Sequence, residues 1–181
     1  VLSAVYGCFD PDYCFNLHDQ RTIFNVGNNP KPATVSFLAP THDEERSISI
    51  SRGKSMKLIV AMDQELQKMI PGQIGRFDDA FNANCVGDAF QMKGTTTILF
   101  EAGHAMGDYQ REKTREYIFS ALLVGLREIT NGQVESYDRD SYFSIPENNK
   151  LFFDIIINHV DELNKNYGKQ DSVGILFREV L

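Results

Sequence analysis

The stretch Thr95-Thr96-Thr97-Ile98-Leu99-Phe100-Glu101, broken by Gly103 and followed by an amphipathic segment from Glu112 to Ile129, constrains this chain most. β-Branched residues running into Ile98, Leu99 and Phe100 spell a strand. In the second segment Ile118, Leu122, Leu126 and Ile129 recur at helical steps, and Asn131-Gly132 supplies the stop. Other elements alternate in the same way. Phe15-Asn16-Leu17 is a short strand running into His18, and Thr34 to Leu38 is a second, with turn chemistry at Gly27 to Pro32 between them. Met56, Ile59, Met62, Leu66 and Met69 predict a helix from about Lys54, ended by Pro71-Gly72. Thr41 and Glu44 after Pro40 read as a capping box, and Gln73 to Asp88 reads as a long loop.

Alternating strands and helices give the α/β class, with part of a mixed sheet and flanking helices. The pattern changes after Gly132, so residues 1–131 are expected as one unit and 132–181 as a C-terminal extension. There, Ser144-Ile145-Pro146-Glu147 resembles a helix start, and Leu151, Phe152, Ile155, Ile156, Val160 and Leu163 fit a helical face. The β-branched run Ile155 to Ile157 leaves a strand open. Val173 to Phe177 reads as a last strand.

Composition narrows the partners. Among the 181 residues, 18 Lys and Arg against 25 Asp and Glu give a net charge of −7. An acidic surface repels phosphate, so neither nucleic acid nor an anionic membrane is an expected partner. Apolar runs such as Ile155 to Ile157 fall far short of the roughly 18 residues of a membrane span. Cys8, Cys14 and Cys85 are too few for a disulfide framework and are expected as buried thiols, which favours a cytoplasmic setting. The chain opens at Val1 with no signal-peptide pattern, as expected of a piece of a longer protein.

Chemistry is sought first among the four histidines. His159 reads as a solvated residue on a helix. His42 and Glu45 form an H-x-x-E, although acids in a first helical turn also answer the helix dipole. His18 ends a strand, where α/β sheets place their sites; it could hold a metal, with Asn16 or Asp19 orienting the ring, or be a hydrogen-bonded strand-end histidine. Glu101 also ends a strand, after an apolar run. Partial desolvation there would raise its pKa toward the range useful for proton transfer, and a salt-bridged structural role is the alternative. Glu101 and His104 make an E-x-x-H, but Gly103 argues against the helix that a di-iron site needs.

Taken together, Cys14-Phe-Asn-Leu-His-Asp-Gln-Arg-Thr-Ile-Phe24 and Thr97-Ile-Leu-Phe-Glu-Ala-Gly-His104 resemble zinc carboxypeptidases of the carboxypeptidase A type. The resemblance covers roughly residues 12 to 130. In that family an H-x-x-E pair and a later strand-end histidine bind one zinc, and a glutamate on a later strand is the general base. The resemblance implies His18 as the metal ligand, Glu101 as the catalytic base and the segment Glu112 to Ile129 as the closing helix. It also makes Asp19 and Gln20 candidate substrate contacts. Arg76, in the expected loop, could meet a substrate carboxylate or be a solvated arginine. Where the family's substrate-loop tyrosine should fall stand Phe77, Asp78, Asp79 and Phe81.

Residues 1 to 17 contain no H-x-x-E, so the chain resembles the C-terminal half of such a domain, with one zinc ligand of three and little activity alone. The implied activity is removal of residues from peptides by metal-assisted water attack. Alternatives are an amide deacylase acting on acylated amino acids, or a non-catalytic interaction module on the same fold. Half a sheet would also leave an open edge, so the chain is expected either to pair with another copy there or to have rebuilt that edge.

Overall fold

The computed structural model describes residues 2–160 and 171–178. In chain order the elements are α1 (Leu2–Phe9), β1 (Tyr13–Asp19), β2 (Asn25–Val26), β3 (Val35–Leu38), α2 (Ile50–Leu66), β4 (Ile74–Arg76), α3 (Val86–Met92), β5 (Thr96–Ala102) and α4 (Glu112–Thr130). Two 3-10 turns follow (Val134–Ser136 and Arg139–Ser144), then β6 (Asn148–Asn149), β7 (Ile155–Asn158) and β8 (Ser172–Ile175). Four strands form one sheet in the order β1-β5-β3-β4. β1 runs parallel to β5, β3 antiparallel to β5 and parallel to β4, so the sheet is mixed and the class is α/β with flanking helices.

Side chains alternate across a strand, so Ile98 and Phe100 of β5 face one way and Leu99 and Glu101 the other. The first face is the core. Val35 and Phe37 of β3, Ile74 of β4, Met56, Ile59 and Met62 of α2, and Ala121 of α4 are all buried with Ile98 and Phe100. Phe100 meets Phe15 and Phe37 edge-on, with ring centroids 5.3 and 5.2 Å apart, the arrangement aromatic quadrupoles favour. α2 and α4 cover this face, and the loop after β4 and α3 build a wall over the other.

Several expectations are corrected. Residues 41–49 form no helix; the Thr41 hydroxyl donates to the Asp88 carboxylate (3.1 Å), and α2 is capped at Ser49, whose hydroxyl accepts from the Arg52 amide (3.2 Å). The stretch 73–88 is not one loop. Ile74 to Arg76 becomes a strand because β3 offers it a ladder, and α3 begins at Val86. The helix expected after Ser144 does not form either. Asn148 and Asn149 pair with β2, and Ile155 to Asn158 pairs antiparallel with β8, as the β-branched run allowed. Leu163 lies outside the described residues. His159 follows β7 in the left-handed region (φ 57°), not on a helix. Cys8 and Cys85 are exposed and Cys14 half-buried, so none is a core thiol; all are free.

The segment after Gly132 joins the main body before leaving it. Val134, Tyr142 and Ile145 are buried in the same core. The Arg76 amide donates to the Pro146 carbonyl (2.8 Å), and Glu147 bridges to Arg76 beside β4, covering that edge of the sheet. At the other edge β1 pairs, among the described residues, with β5 alone. Beyond Asn149 the β7–β8 hairpin is a separate two-stranded sheet. Among the described residues no helix is long and apolar enough to cross a membrane.

Candidate functional site

Parallel pairing of β1 with β5 sets His18 opposite Glu101, and antiparallel pairing of β3 sets Ser36 on the other side of Glu101. The His18 Nδ1 lies 3.7 Å from the Glu101 Oε1; the glutamate side chain is 6 % exposed and the histidine 52 %. Both face a crevice of about 580 Å³ on the sheet face away from α2 and α4. Its floor includes Asn16, Leu38 and Leu99, which share the face by alternation. Its wall comes from Phe77, Phe81 and Val86. Gly87 is required there, since a Cβ would stand 2.9 Å from the Pro40 ring.

The Glu101 carboxyl makes no hydrogen bond among the described residues, with the His18 Nδ1 at 3.7 Å as its ion-pair neighbour. Burial, and secondarily the negative charge of Asp19, pushes its carboxyl up to about 7. A buried carboxylate without donors is an expensive group to leave unpaired, and it is aimed into an open crevice. Asp88, on the same crevice, is also raised by burial, against the lowering effect of the Thr41 hydroxyl. Such a site can accept and return a proton near neutral pH.

The other sequence candidates fall elsewhere. Asp19, the last residue of β1, is exposed and pairs with Arg111 at 3.5 Å. Gln20 is buried, its amide donating to the Ala33 carbonyl (2.8 Å) and the Ser36 hydroxyl (3.1 Å), and its carbonyl accepting from Asn148 (3.2 Å). Arg76 lies in β4, not in a loop. Its guanidinium donates to the Ile145 carbonyl and the Glu147 carboxylate, both at 2.9 Å, and sits over the Tyr142 ring. His42 lies beside Asp43 (3.3 Å), and its Nδ1 is buried without a partner. Glu45 is exposed. His104 packs edge-on against Phe152, and burial followed by the nearby Arg111 lowers its pKa. The structure therefore brings together His18 and Glu101 and leaves Gln20 and Arg76 bonded to the framework.

Two positioning devices escaped the sequence. Arg111 adopts a left-handed conformation (φ 56°) ahead of α4, and its guanidinium donates to the Ala102 carbonyl (3.1 Å) and the Gln20 carbonyl (3.2 Å). It thereby ties the ends of the strands that carry Glu101 and His18. Arg52, 1 % exposed, donates to the Asp79 carboxylate (2.8 Å) and the Ala39 carbonyl (3.2 Å), anchoring the wall segment next to Phe77 and Asp78. Neither arginine carries a local signal, because its partners are distant in sequence. Leu99 did carry one: it stands two residues before Glu101 in a strand and so shares its face.

A catalytic zinc of the type the resemblance implies takes three protein ligands. Among the described residues no group of three or more His, Cys, Asp and Glu converges, so His18 stands there without the two further ligands such a site takes. No protein-family model, no curated protein and no solved structure matches this chain.

Proposed function

We propose that this chain carries the proton-transfer part of an amide hydrolase of the zinc-carboxypeptidase type, with Glu101 as general base. One observation carries the reading: a glutamate whose side chain is 94 % buried, its carboxyl without a hydrogen-bond donor among the described residues, held up to about 7 and facing a substrate-sized crevice beside His18. In its ionised form Glu101 takes a proton from a water in the crevice as that water's oxygen attacks the scissile carbonyl carbon. It then returns the proton to the amine nitrogen as the C–N bond breaks. His18 stands next to the carboxylate as the residue that the resemblance offers for a metal.

The test is hydrolysis of peptides and N-acylated amino acids by the chain with added Zn²⁺, compared with Glu101→Gln and alongside a carbon-detected titration of Glu101. Glu101→Gln is expected to lower the rate by about a hundredfold or more, and the rise in rate through pH 7 should vanish with it. Equal rates in the two proteins, or a Glu101 that titrates near 4.5, would overturn the proposal. A second reading, a non-catalytic interaction module, is favoured by the missing ligand set among the described residues. It predicts a Glu101 that still titrates near 7 but no hydrolysis at any metal concentration.

A further inference from the structure

The crevice is chemically lopsided. Its apolar lining, from Leu38, Phe77, Phe81, Val86 and Leu99, suits an aliphatic or aromatic side chain. Its acidic lining residues are Asp78, Asp88 and Glu101; among the described residues His18, beside Glu101, is the one basic side chain that lines it, and neither lysine nor arginine does.

The cations nearest in the fold are committed elsewhere. Arg46 and Arg52 both pair with Asp79 at 2.8 Å, Arg76 with Glu147 at 2.9 Å, and Arg111 with Asp19 and two strand-end carbonyls. A ligand carboxylate entering this space would meet like charge in a partly desolvated setting, with no donor fork to receive it. A neutral amide would meet none of that repulsion, and the Glu101 carboxylate, which has no hydrogen-bond donor among the described residues, would accept its N–H.

We propose that the crevice selects a large apolar side chain carried between neutral or cationic groups and rejects the same side chain beside a free carboxylate. The proposal rests on the reading that this crevice is the substrate site, and it narrows that reading. The residue seated here is not the one that bears a terminal carboxylate, so terminal-carboxylate recognition is not a property of these lining residues.

The test follows the methyl signals of Leu38, Val86 and Leu99 by NMR at pH 8, titrating the chain with N-acetyl-L-phenylalaninamide and separately with N-acetyl-L-phenylalanine. The amide is expected to shift these methyls and to bind at least about tenfold more tightly than the acid. Ala80→Lys, which adds a cation at an exposed lining position, should bring the acid to within about twofold of the amide. Equal binding of acid and amide to the unaltered chain would overturn the proposal, as would an amide that leaves all three residues unmoved. The two readings fail separately. A Glu101 pKa near 4.5 removes the base and leaves the amide-to-acid ratio, whereas equal binding with a pKa near 7 removes the selectivity alone.

Discussion

Two strands of similar composition meet opposite fates in this molecule. Thr96 to Phe100 in β5 is wholly buried, with Ile98 and Phe100 at 0 % exposure. Ile155 to Ile157 in β7 is at least as apolar, yet its residues are 44, 56 and 40 % exposed. β5 has strands on both sides and helices α2 and α4 over one face; among the described residues β7 pairs only with β8, and a two-stranded ribbon covers neither of its own faces. The hairpin is held to the body by polar ties at its base. Arg21 donates to the Phe177 carbonyl (2.8 Å) and lies 3.9 Å from the Asp154 carboxylate, and the Phe152 amide donates to the Ile23 carbonyl (3.2 Å). Apolar β-branched sequence makes a strand; only a covering layer makes it core.

Stability measurements should expose that difference. Phe100→Ala removes a ring that packs against Phe15 and Phe37 and should destabilise the protein by about 3–5 kcal/mol in denaturant unfolding. Ile156→Ala, on the half-exposed hairpin, should cost about 0.5 kcal/mol or less. Similar losses at the two positions would mean that the hairpin is covered in solution and would end the comparison.

The site gives a second, smaller contrast, in pH rather than packing. The Glu101 carboxyl is held near 7 in the folded chain against an ordinary value of 4.5, so the folded state keeps a proton that the unfolded state has already released. Its contribution to stability is complete below pH 4.5 and declines as pH rises to about 7, reaching roughly 3 kcal/mol of loss. Glu101→Gln should flatten that decline and be the more stable protein at pH 8, as read from unfolding curves at pH 4.5, 6 and 8. Parallel curves for the two proteins would show that the carboxyl is solvated after all.

Ending the chain after Asn149 should have the smallest effect. With β6 and its pairing to β2 retained, amide exchange in β5 should stay within about 1 kcal/mol of the full chain. A larger loss of protection would make the hairpin part of the cooperative unit.

Much of the fold was legible locally. Thr96 to Ala102 and Glu112 to Thr130 formed within a residue or two of their expected limits, because each carries an uninterrupted period and a stop signal. Ile74 to Arg76 was not legible: three residues including a glycine have no strand pattern and are ordered by the ladder that β3 presents. The segment after Ser144 misled because its apolar spacing fits a helix, while pairing with β2 and β8 draws it into strands. At the site, the strand-end positions of His18 and Glu101 and the direction of the Glu101 pKa shift were readable from residue order alone. The bonds of Gln20 and Arg76 were not, since Ser36, Asn148, Ile145 and Glu147 lie far along the chain.

By itself, then, the order of residues determined the class, the two long helices, the central strand and a carboxylate placed at that strand's apolar end. Those properties follow from local periodicity and local desolvation. Tertiary structure decided the parallel register that sets His18 3.7 Å from Glu101 and left that carboxylate without a hydrogen bond among the described residues. It also decided the commitment of every nearby arginine to a framework partner. Register and hydrogen-bond partnership depend on which distant segments meet, and that is settled only when the sheet closes and the helices pack over it.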